Sequence, residues 1–166
     1  MRLAELSDVA SLQTLYAESR MHGKTVGDID WPKKFSHDFL AGYISNKELY
    51  CFEEAESGLV AAARLTETDN IAVWPDEDQR FLYVGKLATA DIVRRQRYVP
   101  RIVMPAAERL AIERGKIGLR LNCLADEPGL MRLYNNIGFT LLGSVRIFSV
   151  FNNREIETAK FEKTLS

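Results

Sequence analysis

The chain has 166 residues, of which 46% are hydrophobic, 27% charged and 10% aromatic. This length fits one domain over residues 1–166, and the apolar fraction excludes a disordered, collagen-like or coiled-coil chain. The 22 Lys and Arg residues nearly balance the 23 Asp and Glu residues, which gives a formal net charge of -1. A protein that coats nucleic acid through its overall field needs a positive excess, so this composition argues against that class.

Membrane and metal chemistry find little support in the sequence. The longest apolar run, Leu59 to Ala63, is far shorter than the roughly 20 residues that a membrane-spanning helix needs. The N-terminus reaches acidic residues too early for a secretory signal. Cys51 and Cys123 lie far apart without metal-binding spacing, and His22 and His37 belong to no hydrolase or zinc motif. We therefore expect reduced core thiols, surface histidines, no metal, no membrane contact and a cytoplasmic protein.

Hydrophobic periodicity and turn residues divide the chain into helices and strands. Predicted helices follow capping residues such as Ser7 and Ser36 and end at glycines such as Gly115. The predicted elements, in chain order, are a helix from Ser7 to about Met21 with a loop opened by Gly23 and Gly27, a helix from Ser36, strands 49–52, 59–65 and 81–88, a helix between Pro100 and Arg114, strand 119–123, a helix from Asp126 to Ile137, and strands 140–151 and 155–164.

This order predicts a mixed α/β (α+β) domain. The segment from Phe81 to Cys123 forms a strand–helix–strand unit, which requires a parallel crossover. In the second of these strands Arg120 and Asn122 alternate with apolar residues, so one face is expected to be wetter. Ligands of such sheets bind at the carboxyl ends of strands, and the loop after Ala88 is therefore the first place to look for a site.

The loop after this strand is rich in arginine. Residues 94–101 read Arg-Arg-Gln-Arg-Tyr-Val-Pro-Arg and stand just ahead of a predicted helix. A helix N-terminus offers free N–H groups, and guanidinium groups bind phosphate oxygens in a bidentate way. A polyanionic ligand is one interpretation, and a solvated loop is the other. A nucleic-acid-contacting module is a third, against which the net charge argues.

A wider pattern surrounds the loop. Its segments are Tyr83–Thr89, residues 94–101, Ala106–Gly115, Leu119–Cys123 and Leu133–Phe139. In order and spacing they resemble the GNAT superfamily of acyl-CoA-dependent N-acyltransferases, over roughly residues 69–143. The last segment contains the family's Tyr-x-x-x-Gly-Phe element, which is the most specific part of the match. Asp69 and Trp74 resemble a D-x-x-x-x-W feature of one bacterial branch.

The resemblance implies a mostly antiparallel sheet with a central, splayed parallel strand pair, flanked by helices. It also implies transfer of acetyl from acetyl-CoA to a small-molecule or peptide amine by direct attack, without a covalent intermediate. Tyr134 matches the family tyrosine that protonates the departing thiolate. The donor-binding residues that the resemblance implies are Leu87, Ala88 and Thr89 at the strand end, together with Arg94, Arg95, Gln96, Arg97, Tyr98, Val99, Arg101 and Glu127.

The acceptor side is less defined by the sequence. The strand from 81 to 89 holds no carboxylate for a general base and offers only Lys86, which cannot serve while it is charged. Glu67 and Asp69 are the nearest acids in sequence, and their alternative interpretation is solvated loop residues. Trp31 and Trp74 lie in predicted loops, where each could wall an acceptor pocket or anchor the core.

The sequence departs from the family where the pyrophosphate is expected. There is no glycine between Gly85 and Gly115, and Tyr98 and Pro100 stand at the positions of the family's loop glycines. Glu127 replaces an asparagine that often precedes the last helix. Either arginine side chains replace the lost N–H groups, or the chain is a catalytically silent GNAT-like domain that binds another ligand or partner. The final hairpin could pair between subunits, which leaves a homodimer open.

Overall fold

The computed structural model describes residues 1–26, 30–76 and 78–165, and it builds one seven-stranded sheet with helices on both faces. The strands are β1 (Arg2–Leu3), β2 (Leu49–Glu54), β3 (Gly58–Thr66), β4 (Phe81–Thr89), β5 (Gly118–Leu124), β6 (Thr140–Ser149) and β7 (Arg154–Thr164). The helices are α1 (Val9–Val26), α2 (His37–Ser45), α3 (Asp91–Arg94), α4 (Met104–Glu113) and α5 (Pro128–Asn136).

The strand order is β1-β2-β3-β4-β5-β7-β6. Only β4 and β5 are parallel among the neighbouring pairs of this sheet, and the helices between them form the crossover. The predicted mixed α/β domain with a mostly antiparallel sheet is thereby confirmed. In the described part of the chain, no helix has the length and apolarity to cross a bilayer.

The first helix is longer than predicted, and the shortest strand was missed. Helix α1 continues past Gly23 to Val26, whereas Gly27 lies outside the described residues. A glycine inside a helix costs only about 1 kcal/mol, which the packing of α1 on the sheet outweighs. Strand β1 is two residues long, too short to leave a periodic signal, and its Arg2 is held by Asp8 at 2.7 Å.

Apolar side chains fill both faces of the sheet. On one face Leu82 and Val84 of β4 pack with Met104 of α4. On the other face α1 and α2 contribute Leu12 and Leu40, both fully buried. The alternation along β4 therefore sends successive side chains into different cores, as a strand covered on both sides requires.

The wetter face predicted for β5 is wrong at Arg120, whose side chain is buried. Its guanidinium carbon lies 4.7 Å from the Trp74 ring centre and 4.3 Å from that of Phe81. It also makes ion pairs with Asp76 at 2.8 Å and Glu162 at 2.9 Å. Long-range aromatic and acidic partners, which alternation cannot show, compensate the burial of this charge.

We predict that Gly118→Ala destabilises the protein, because β4 and β5 begin their pairing there. An added Cβ would lie below contact distance from the Lys163 carbonyl oxygen and 2.8 Å from Phe81 Cε1. Overpacking of this kind costs about 1–3 kcal/mol. The matched control is Gly129→Ala in α5, where nothing lies within 4 Å and the helix gains up to about 1 kcal/mol. Urea unfolding measures both, and a Gly118→Ala variant as stable as wild type would contradict the close approach.

Candidate active site

Strands β4 and β5 separate after four residue pairs. The ladder runs from Phe81↔Gly118 to Val84↔Leu121 and then stops, although β4 continues to Thr89 and β5 to Leu124. Beyond this point β4 stays paired with β3, and β5 stays paired with β7. Neither strand can then bond to the other, so their carboxyl ends form the two sides of a wedge.

An irregularity in β4 lies at the start of the wedge. The β3–β4 register shifts between Ala62 and Arg64, opposite Lys86, which has a φ of 47°. Two residues of β4 therefore face one residue of β3, which is a β-bulge. Bulges bend a strand and increase its twist, and this one lies just beyond the last residue pair of β4 and β5.

The wedge opens into a cleft of about 780 Å³, a volume typical of substrate sites. Gly85 and Lys86 of β4 line one side of the cleft, and Asn122 and Cys123 of β5 line the other. The residues predicted from the sequence that line the cleft are Trp31, Asp69, Leu87, Thr89, Arg94, Arg97, Tyr98, Val99, Glu127 and Tyr134.

Other predicted residues lie outside the cleft. Glu67 is exposed, and its carboxylate accepts a 2.8 Å hydrogen bond from Lys116, which lowers the pKa of Glu67. Trp74 is buried against Tyr83, with ring centres 5.8 Å apart. Those residues outside the cleft are Glu67, Trp74, Ala88, Arg95, Gln96 and Arg101.

The backbone of β4 beyond the bulge divides its hydrogen bonds between two sides. Ala90 N donates to Val60 O at 2.8 Å, and Ala62 pairs with Ala88, so the antiparallel alternation directs the amide groups of Ala88 toward β3. The amide groups of Leu87 and Thr89 then face the opposite way, toward the wedge. Ala88 is buried and does not line the cleft.

Two side chains satisfy the wedge-facing edge at Thr89. Ser19 Oγ of α1 accepts from Thr89 N at 3.0 Å and donates to Thr89 O at 2.9 Å. Arg94 adds a 2.8 Å bond to the same carbonyl and pairs with Asp91. The edge that remains for a ligand is therefore centred on Leu87.

The arginine-rich turn forms without a glycine. Arg97 takes the left-handed conformation with a φ of 55°, and Tyr98 begins the following helix. That helix starts with a π-helical turn, Val99–Val103, in which Met104 N donates to Val99 O. Pro105 lacks the N–H that an α-turn would need, which accounts for the wider turn. Arg101 N donates to Arg97 O at 3.1 Å, and Tyr98, Val99 and Pro100 at the start of this helix line the cleft.

Tyr98 lines the cleft but is fixed against the sheet. Its side chain is 6% exposed, and burial together with a hydrogen bond to Glu54 raises its pKa to about 12. Tyr98 therefore packs into the core and leaves the cleft open.

Tyr134 lies in α5, on the β5 side of the cleft. Its ring packs 5.5 Å from Phe161 and 6.1 Å from Phe139. Burial raises the pKa of this phenol above its ordinary value, so the group remains protonated at neutral pH. Nearby, burial and the Glu127 carboxylate raise the pKa of the Cys123 thiol to about 12. Cys123 is therefore a poor nucleophile.

The opposite end of the cleft carries mixed charge. Asp30 accepts a hydrogen bond from Ser149 and one of 3.1 Å from Asn152. Asp69 lies 3.7 Å from Arg64. These groups surround the half-buried Lys86, and together they line the end of the cleft away from the arginine turn.

Trp31 both lines the cleft and packs in the core, where its ring centre lies 5.3 Å from that of Tyr16. Sequence reasoning missed Ser19, Asp30, Arg64 and Phe151. Ser19 left one usable signal, because it occupies a helical position on the same stripe as the buried Leu12 and Tyr16. The described residues contain no group of three or more His, Cys, Asp or Glu that could hold a metal ion.

We predict that Ser19→Ala lowers the free energy of unfolding by about 1–3 kcal/mol, because the half-buried N–H of Thr89 loses its partner and the Thr89 carbonyl keeps only its bond from Arg94. The control on the same helix is Thr14→Ala, whose hydroxyl bonds only the exposed Ala10 carbonyl, with an effect within about 0.5 kcal/mol. Urea titration compares them. Equal effects would contradict a specific role for Ser19 at the strand edge.

No protein-family model matches the sequence, and no curated protein matches it. Solved structures do match. A GNAT-family acetyltransferase from Listeria monocytogenes 4b F2365 aligns with a TM-score of 0.79 at 20% identity, over 99% of this chain and 93% of its own. The Salmonella typhimurium protein yncA, solved with its cofactor acetyl-CoA, has a TM-score of 0.73 at 14% identity, over 99% and 92%.

The spermidine N-acetyltransferase from Vibrio cholerae, solved with CoA and spermine, aligns with a TM-score of 0.72 at 16% identity, over 98% of this chain and 93% of its own. These neighbours share the sheet and helices of the whole described chain. At such identities the likeness establishes the fold, and it agrees with the resemblance found in the sequence. This chain therefore has the fold of the GNAT-family acetyltransferases.

Proposed function

We propose that this protein transfers an acetyl group from acetyl-CoA to an amine, by direct attack and without a covalent enzyme intermediate. The observation that carries the proposal is the wedge between β4 and β5. It provides an unpaired strand edge at Leu87, a helix start at Tyr98 and a protonated phenol at Tyr134 around one cleft. The fold neighbours named above include proteins solved with acetyl-CoA or CoA, which supports the same donor.

The donor would lie along the open edge of β4. The amide groups of Leu87 can bind the pantetheine arm as an added strand would, because the arm carries amides of its own. Arg97 and the backbone N–H groups of Tyr98 and Val99, which line the cleft at the start of the helix, would bind the pyrophosphate. Arg94 has a positioning role, since it holds Thr89 and Asp91. In this proposal the Arg97 guanidinium replaces part of the phosphate binding that the resemblance assigns to the N–H groups of loop glycines.

The proposed chemistry uses two groups of the cleft. The acceptor nitrogen attacks the thioester carbonyl carbon, the carbon–sulfur bond breaks, and the Tyr134 hydroxyl gives its proton to the departing sulfur. The nitrogen's surplus proton leaves to water or to Asp69, the one of the two predicted acids that lines the cleft, and the Tyr134 phenolate regains a proton from water. A protonated Cys123 thiol supports direct attack, because an acetyl-enzyme would need a thiolate there.

The second candidate is a GNAT-like domain that binds a ligand or partner without catalysis. The glycine-less turn favours it, because Pro100 offers no N–H to a pyrophosphate. The two candidates share a binding cleft and differ in turnover, so the binding and kinetic experiments below separate them.

We predict that acetyl-CoA stabilises the protein, by about 2.7 kcal/mol at one hundred times its dissociation constant, which thermal unfolding detects. Arg97→Gln should weaken binding about 10-fold or more, because a charge-assisted contact is lost. The neighbouring Arg95→Gln is the matched control and should change affinity less than about 2-fold, since Arg95 does not line the cleft. Absence of stabilisation at millimolar acetyl-CoA would contradict the donor site.

We predict that Tyr134→Phe lowers kcat by about 100-fold or more, as expected for loss of a general acid, while acetyl-CoA affinity is kept. The assay follows CoA release with a mixed panel of primary amines and amino acids. Tyr50→Phe is the control, because its hydroxyl bonds Arg114 at 2.6 Å outside the cleft. Since burial raises the pKa of Tyr134, wild-type kcat should not fall through this group between pH 7 and about 10. Unchanged kcat in Tyr134→Phe would remove its acid role.

A further inference from the structure

The acceptor end of the cleft contains a cation, Lys86, that has no ion-pair partner among residues 1–26, 30–76 and 78–165. Lys86 is half-buried on β4, and its Nζ lies 5.1 Å from the centre of the Phe151 ring. Among the described residues, none forms an ion pair or hydrogen bond with this ammonium group. The ring face attracts the ammonium group, but burial of a charge without a paired anion remains costly.

The acids that face Lys86 are already bound to other groups. Asp30 accepts from Ser149 and Asn152, and Asp69 pairs with Arg64. Burial lowers the pKa of Lys86. Asp30 and Asp69 act on Lys86 only at a distance and raise this pKa, whereas Arg64 lowers it. The surrounding acids therefore do not fully balance the positive charge of Lys86 at the acceptor end of the cleft.

The donor does not account for this charge. The phosphates of acetyl-CoA are expected at the arginine turn, where Arg94 and Arg97 line the other end of the cleft. Lys86 instead lies among residues of β3, of the segment after α1 and of the β6–β7 turn. A polyamine would bring further positive charge against Lys86 and Arg64, which electrostatic complementarity disfavours.

We infer that the acceptor is an amine that also carries a carboxylate, and that Lys86 binds this carboxylate at the mouth of the wedge. The inference rests on the proposed function and narrows its acceptor class to amino acids and similar zwitterions. An acceptor carboxylate over Lys86 would replace the missing counter-ion with a charge-assisted hydrogen bond. Its amine would then lie between Lys86 and the acids Asp30 and Asp69, near the thioester.

The test compares carboxylate-bearing amines with their decarboxylated partners. The probes are the common L-α-amino acids, β-alanine and γ-aminobutyrate, set against the corresponding primary amines and spermidine. CoA release from acetyl-CoA gives kcat and KM for wild type, Lys86→Met and Lys86→Arg. The matched control is Lys160→Met, which removes a lysine that lies 5.2 Å from the Trp74 ring but does not line the cleft.

The expected result is a kcat/KM at least about 10-fold higher for carboxylate-bearing acceptors in wild type. Lys86→Met should abolish most of this preference, chiefly by raising KM, while Lys86→Arg and Lys160→Met should keep it. Thermal unfolding checks that each variant folds, and Lys86→Gln takes the place of Lys86→Met if the latter does not.

Several results would overturn the inference. Equal or better turnover of decarboxylated amines or spermidine would exclude a carboxylate-binding role. An equal loss of kcat for both members of a pair in Lys86→Met, with a changed pH profile, would assign Lys86 to the chemical step instead. Acetyl-CoA binding without acetylation of any panel member would reject the acceptor class and leave the donor site standing. Failure to bind acetyl-CoA would remove the proposed function, and this inference with it.

Discussion

The separation of β4 from β5 determines what the rest of the chain has to do. Parallel pairing holds only from Phe81 to Val84, and beyond it two strands enter the interior with one edge each unpaired. Buried N–H and C=O groups must find partners, so the fold supplies them from elsewhere. Ser19 and Arg94 satisfy Thr89, and Tyr16 donates to the Lys86 carbonyl at 2.8 Å. The edge left open at Leu87 is consequently a narrow, defined place for a ligand with amides of its own.

Packing prevents the wedge from closing. Strand β5 is paired along its other edge with β7 from Gly118 to Leu124, and β4 is paired with β3 on both sides of the bulge at Lys86. The side chain of Tyr98 packs into the core beside Glu54. Arg97 takes the left-handed turn position. The cleft is therefore open although the turn contains Tyr98 and Pro100 and no glycine.

Local motifs predicted much of this site. Three segments of the site are each continuous in the chain, so their periodicity and spacing can be read from one sequence: the central strand, the arginine turn and the Tyr134 helix. The structure brings Arg94, Arg97, Tyr98 and Tyr134 to one cleft. The sequence did not show which of the nearby acids Glu67 and Asp69 lines the cleft. Asp69 lines the cleft, whereas the side chain of Glu67, two residues earlier, turns toward Lys116.

Long-range partners account for what the sequence did not reveal. Trp74 is drawn into the core by Tyr83 and Arg120, and the latter comes from a strand far along the chain. Asp30 enters the cleft because Ser149 and Asn152 of the final hairpin hold it there. Contacts over such separations leave no local pattern, and only the assembled sheet brings them together.

Hydrogen–deuterium exchange, with and without saturating acetyl-CoA, tests most directly whether the wedge holds the donor. With acetyl-CoA bound, we expect slower exchange of the amides at 86–89 and at 97–99 and unchanged exchange in α2 and β1. Exchange at 86–89 that is the same in both conditions, or protection confined to segments away from the wedge, would contradict it.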